Sequence, residues 1–201
     1  MARSRSMSGA APHSPPVGWD EFVLLDEDDP RELVDGVLVE IEVPGFRHER
    51  TVGVLMIRLG AWVEVRNRGV VLPSGYKVRI TDRRGVMPDV QFISKEKLPL
   101  LDENGLTRGA PDLVVEVISP SSHHYDCVVK RDWYAAVGVA EYWIVDPEAR
   151  TLERLVLGLD GRYATAAKLG DDAIFEPESF PGLSIALSDL WVDVPVPQRP
   201  A

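Results

Sequence analysis

The chain has 201 residues, 45% hydrophobic and 27% charged, the composition of a globular protein with a sizeable core and not of a disordered segment. No run of 18 apolar residues exists for a membrane span, and the opening MARSRSMSGAAPHSPP has no apolar stretch of the secretory kind. A single cysteine, Cys127, fits a reducing cytoplasm, and a formal net charge of -10 weighs against broad contact with phosphates.

Residues 1–18 are rich in Ser, Pro, Ala and Gly and read as a mobile tail. The ordered region is expected over 19–193, with VPVPQRPA (194–201) as a C-terminal tail. Asp35-Gly36 is a two-residue turn signal, so Arg31–Val34 and Val37–Val43 read as an N-terminal β-hairpin stopped by Pro44-Gly45. In His48–Val65, Val52, Leu55, Met56, Leu59 and Val63 recur at three- and four-residue steps, which predicts a helix ended by Asn67 and Gly69. The period then changes. Val70–Leu72, Tyr76–Ile80, Val90–Ile93 and Leu113–Ile118 read as strands, and Leu98–Gly109 as a loop. A second helix is expected over Asp126–Val137. Strands follow at Glu141–Val145 and Thr151–Val156, with further edge strands at Tyr163–Lys168 and Ser184–Leu187. This order predicts an α/β (α+β mixed) fold, a central mixed sheet flanked by helices.

Charge is uneven along the chain. Asp20–Glu42 holds ten acids and one base, whereas Arg66–Arg84 holds six bases and one acid. That basic island is either a solvated strand face or a phosphate-facing surface. On the second reading Arg79, Arg83 and Arg84 are candidate substrate contacts.

Three residues stand out chemically. Glu116 interrupts Leu113-Val114-Val115-Glu116-Val117-Ile118, a run apolar on both parities and hence covered on both faces. A carboxylate there is expensive unless paired or bound to a cation, so it marks a buried ion pair, a strand end open to solvent, or a functional metal site. Lys130 shares its helical face with Asp126, Val129, Trp133, Tyr134 and Val137, so it either snorkels to water or points into the core. Asp89 follows Pro88 at a strand start and can face a cleft there. Two carboxylates with a nearby lysine suit a hard cation such as Mg²⁺, which takes oxygen ligands. His123-His124 has no partner at metal-ligand spacing and reads as exposed loop. Cys127 reads as packing, and Trp133, Tyr134, Tyr142 and Trp143 as core.

The stretches ELVDGVLVE (32–40), the His48 helix, MPDVQFIS (87–94), APDLVVEVISPSS (110–122), Lys130 with Tyr134, GVAEYWIVDP (138–147) and FPGLSIALSDLW (180–191) together resemble the Uma2 family of restriction-endonuclease-like proteins. That family is a branch of the PD-(D/E)XK nuclease superfamily, and the resemblance runs from about Arg31 to Trp191. It implies a restriction-endonuclease-like core, an αβββαβ arrangement, and a DNA endonuclease using Mg²⁺ or Mn²⁺. It further implies Asp89, Glu116 and Lys130 as catalytic residues, and Asp89, Glu116 and the Val117 backbone carbonyl as metal ligands. Glu32 and His48 match recurrent family positions and are expected as accessory residues. The superfamily lysine usually lies two residues after the acid. Ile118 stands there in this chain, and Lys130 on the following helix is the matching position. DNA is the expected partner, with a homodimer as one way to cut both strands. The alternative is a catalytically inactive nuclease-fold module for binding DNA or protein, consistent with the net charge of -10.

Overall fold

In the computed structural model, residues 15–26, 29–41, 44–119 and 122–193 are described. Of the expected tails at 1–18 and 194–201, residues 1–14 and 194–201 lie outside these residues. Within the N-terminal stretch, the Val17 amide donates to the Gly36 carbonyl at 2.9 Å.

A single helical turn, α1 (Trp19–Phe22), precedes the hairpin β1 (Arg31–Val34) and β2 (Val37–Glu40). Its turn is Asp35-Gly36, and both residues have positive φ, 51° and 85°, as the Asp-Gly signal implies. The second strand was expected to reach Val43. It ends at Glu40, and residues 42–43 lie outside the described residues. The long helix α2 (Phe46–Arg66) ends at Asn67 in the left-handed conformation. Next come β3 (Gly69–Pro73), β4 (Lys77–Thr81), β5 (Arg84–Val86) and β6 (Val90–Ser94).

The expected loop at Leu98–Gly109 is partly ordered. A 3₁₀ segment spans Lys95–Leu100, and β7 (Gly105–Leu106) pairs in parallel with β4. Strand β8 (Leu113–Val117) follows. The expected α-helix from Asp126 is π-helical over Tyr125–Lys130 and α-helical only in α3 (Arg131–Val137). The chain continues through β9 (Glu141–Asp146), β10 (Thr151–Leu157), β11 (Tyr163–Gly170), β12 (Ile174–Phe175) and β13 (Ile185–Ala186).

The six-stranded sheet has order β11-β10-β9-β8-β6-β3 and is mixed, since β8–β9 is parallel and its other pairs are antiparallel. A five-stranded sheet, β2-β1-β5-β4-β7, carries the hairpin. Side-chain alternation assigns the two faces of the six-stranded sheet. Val90, Phe92, Leu113, Val115, Trp143 and Val145 pack against Leu55, Leu59 and Val63 of α2 and the C-terminal segment of Phe175, Phe180 and Ile185. On the opposite face, Val114, Tyr142 and Ile144 pack against Trp133 and Tyr134 of α3 and Val78, Ile80 and Val86 of the second sheet. The site grows out of that second interface.

Candidate active site

Strand β8 is buried at every position, Glu116 included. Glu116 has the parity of Val114, so its side chain enters the interface toward α3. The antiparallel register Val90↔Val115, extended one residue, sets Asp89 opposite Glu116. The two carboxylates on neighbouring strands therefore come together at the start of β6 and line one cavity of about 560 Å³.

Each carboxylate is oriented by its own partners. Glu116 Oε1 accepts from Tyr134 Oη at 2.5 Å and from Lys130 Nζ at 3.1 Å. Asp89 Oδ2 accepts the Val117 amide at 2.7 Å and lies 3.1 Å from His48 Nε2. Helix α2 brings His48 to this point, as its Gly45, His48, Glu49 and Val52 line the same cavity. These four recur at three- and four-residue steps and form one helical face.

Lys130 does not snorkel. It is 5% exposed, and its ammonium sits 3.1 Å from Glu116 Oε1, 3.2 Å from Glu32 Oε1 and 3.3 Å from Asp126 Oδ1. Glu32, on β1, uses the same Oε1 to accept the Met87 amide at 2.9 Å. Thus the hairpin sheet, β8 and the π-helical segment each contribute a carboxylate to one lysine. The π-turn places Asp126 and Lys130 on one face, and such turns recur where side chains are re-aimed for function.

Burial and charge act together here. Desolvation pushes the Glu116 carboxyl well above the usual range; Lys130 opposes this, and Asp126, Asp89 and Glu32 reinforce it. Burial alone would lower the Lys130 pKa, but Glu116, Glu32 and Asp126 raise it well above its ordinary value, so the ammonium stays charged. One lysine faces three buried carboxylates, which is why burial and like charge both act to raise the Glu116 pKa. Burial lowers His48, yet its bond to Asp89 and the charges of Glu49 and Asp126 leave its pKa raised.

The donor set fits a hard cation. Among the described residues, the hydrogen bonds to Asp89 and Glu116 fall on one oxygen each, Oδ2 and Oε1, while both residues line the cavity. The second oxygen of each carboxylate is the one that would take a ligand. Among the described residues no three His, Cys, Asp or Glu side chains form a ready metal-ligand cluster. A cation here would draw on the two carboxylates, the Val117 carbonyl and water, a donor set that suits Mg²⁺ better than a cation needing an all-protein cage.

The structure thus brings together Asp89, Glu116, Val117, Lys130, Glu32 and His48. It does not bring Arg79, Arg83 and Arg84 to the cavity. Arg79 pairs with Asp82 in its own turn, and Arg84 binds Asp35 at 2.6 Å and lies 5.0 Å from the Trp133 ring; Arg83 is exposed. Cys127 lines a separate groove with Arg131 and Tyr163. Asp126 and the Tyr134 hydroxyl adjoin Lys130 and Glu116; the sequence placed both on the Lys130 face of the helix without giving either a role in the site. The available signal was the i, i+4 pair of Asp126 and Lys130 on an otherwise apolar face.

The two sheets, the crossing helix and the buried carboxylates define a nuclease-type α/β core. The crystal structure of a "putative nuclease belonging to DUF820" from Anabaena variabilis superposes on this fold with a TM-score of 0.71 and 19% identity, over 87% of this chain and 97% of that one. The family model described as "Uma2: Putative restriction endonuclease" matches residues 19–188, and the chain belongs to this family. No curated protein matches the chain. Among the described residues, no helix is long and apolar enough to cross a membrane.

Proposed function

We propose that the protein is an endonuclease that hydrolyses DNA phosphodiester bonds with Mg²⁺ or Mn²⁺ held by Asp89, Glu116 and the Val117 carbonyl. The observation that carries this reading is Lys130, buried at a cavity wall and bonded to Glu116 while Asp89 stands on the adjacent strand. A hard divalent cation, when bound, supplies Lewis acidity toward the phosphoryl group and water. The protein supplies orientation. Tyr134 and Lys130 hold Glu116, and His48 and the Val117 amide hold Asp89. The Lys130 ammonium, itself buried, stabilises negative charge that develops on the phosphoryl oxygens. Glu32 keeps that ammonium in place. A homodimer belongs to the same proposal, since two such cavities suit two strands.

The test is nicking of supercoiled plasmid with Mg²⁺ or Mn²⁺. Glu116→Gln and Lys130→Met each lower the rate at least about 100-fold relative to wild type, the scale of losing one charged catalytic contact. Equal cleavage by all three proteins contradicts the proposal. The competing reading, an inactive nuclease-fold module, draws on the net charge of -10 and on a lysine that stands on the helix and not two residues after the acid. It expects DNA or protein binding with no metal-dependent cleavage in the same assay.

A further inference from the structure

Helix α2 turns Leu55, Leu59 and Val63 toward the sheet. On its outer side Phe46, Arg50, Gly53, Ile57, Gly60 and Glu64 recur at alternating steps of four and three residues. That is the 3.5-residue spacing of a helix–helix seam. Phe46 and Ile57 are 61% and 69% exposed and lie on one line, unlike the isolated apolar residues that any surface carries. Gly53 and Gly60 weaken the helix relative to alanine. A Cβ at either position would meet nothing within 4 Å, so neither glycine serves the packing of its own chain. A missing side chain on a helix surface lets another backbone approach closely. Arg50 and Glu64 stand seven residues to either side of Ile57, and both are exposed. Among the described residues neither forms an ion pair.

We propose that this face is a homodimer interface, occupied by the same face of α2 from a second copy, antiparallel and two-fold symmetric about Ile57. Under that symmetry a residue before Ile57 faces the residue equally far after it in the second copy. Ile57 meets the partner's Ile57, Gly53 faces the partner's Ala61, and Arg50 faces the partner's Glu64. The axis repeats each contact, so two Arg50–Glu64 pairs form at once. This charge complementarity selects the antiparallel arrangement, because parallel helices would set arginine against arginine and glutamate against glutamate. Gly53 and Gly60, one helical turn to either side, let the backbones close around the isoleucine. Helix α2 also delivers His48 to the candidate active site. With the crossing at Ile57, the two His48 residues lie about 27 Å apart along the helix axes, at a rise of about 1.5 Å per residue. His48 and Val52 line the cavity and are not part of the seam, so docking leaves both cavities open. The interface does not depend on the endonuclease reading, and it supplies a surface for the dimer which that reading invokes.

The experiment is sedimentation equilibrium of the full chain through the micromolar range, with four variants. The wild-type chain is expected to dimerise reversibly. Gly53→Gln and Gly60→Gln place good helix formers in open space, so the monomer keeps or gains thermal stability. Each raises the dimer dissociation constant at least about tenfold, because the longer side chain holds the helices apart. Arg50→Glu weakens association about tenfold, since symmetry replaces two ion pairs by two like-charge contacts. Adding Glu64→Arg to it restores association to within about threefold of wild type, by exchanging the charges across the same contacts. A wild-type chain that stays monomeric, or a dimer indifferent to the glycine substitutions, overturns the proposal. So does a dimer that Arg50→Glu strengthens, or one whose weakening by Arg50→Glu is not restored by Glu64→Arg. Plasmid nicking is read separately. Dimerisation without nicking removes the endonuclease reading alone, and nicking by a monomer removes this interface alone.

Discussion

Glu116 occupies a position that strand patterning would fill with an aliphatic side chain, and two neighbours hold it there. Its hydrogen bonds from Tyr134 and Lys130 meet on one oxygen. Removing the tyrosine hydroxyl takes away a bond to a buried acidic group, so Tyr134→Phe lowers stability by about 1–3 kcal/mol in urea unfolding. The raised Glu116 pKa has a consequence for pH. Between its ordinary value of 4.5 and its higher folded value, the folded chain binds the proton that the unfolded chain has released. Stability of the metal-free protein therefore falls as pH rises through that window. His48 acts in the same direction above its ordinary 6.5, because its folded pKa is also raised. Lys130 is protonated in both states there, and its contribution is lost only at higher pH. The melting temperature of metal-free protein should thus decline from pH 5 to pH 8. Glu116→Gln should flatten the decline, and Mn²⁺ should reverse it by replacing the proton. A Glu116→Gln protein with the same slope as wild type would remove Glu116 as its source. At this scale the sequence was informative for Glu116, because a carboxylate in a doubly covered strand requires a partner. It was less so for Asp126, which helical spacing placed on the Lys130 face without showing that it pairs with that lysine.

Elements position these residues, and their legibility followed their length. The helix read from Val52, Leu55, Met56, Leu59 and Val63 is α2, ended by Asn67 as expected. Strands β6, β8, β9 and β10 stand within a residue or two of their expected bounds. Strand β5, of three residues, and the single turn α1 are too short to show a period, and Gly85 of β5 owes its identity to a partner distant in sequence. A Cβ there would lie 2.6 Å from the Phe22 ring. The π-helical turn was not legible either, since α- and π-helical spacing differ by less than one residue per turn. The C-terminal segment has a structural task. Phe175, Phe180, Leu183, Ile185, Leu187 and Leu190 cover the sheet face that carries Trp143. The Phe180 ring meets Trp62, Phe92 and Trp143 at centroid distances of 5.1, 5.4 and 5.7 Å. Phe180→Ala should cost about 3–5 kcal/mol in chemical unfolding. A change below about 1 kcal/mol would mean that the segment is not part of the cooperative core.

At the scale of the whole molecule, the net charge of -10 stands against a nucleic-acid substrate. The basic island does not resolve this. Arg79 and Arg84 are paired with acids, and the Lys77 ammonium binds the Leu25 carbonyl at 2.8 Å. Binding to DNA is therefore expected to be weak without metal and to rest on few phosphate contacts. Filter binding should give a slope of log K against log salt no steeper than about -3. A steep slope without metal would reveal a basic surface that the fold does not assemble around the cavity. The distribution of charge was readable along the chain, but its destination was not, because ion pairs such as Arg84–Asp35 join residues 49 positions apart. On the proposed function, Asp89 and Glu116 hold one hard cation beside the Lys130 ammonium. The most direct test of that claim is an anomalous difference map from a crystal soaked in Mn²⁺. The account predicts a peak within bonding distance of Asp89 and Glu116, bordered by the Val117 carbonyl, and absent in Asp89→Asn. A map with no peak there, or one with manganese bound only elsewhere on the acidic surface, would contradict it.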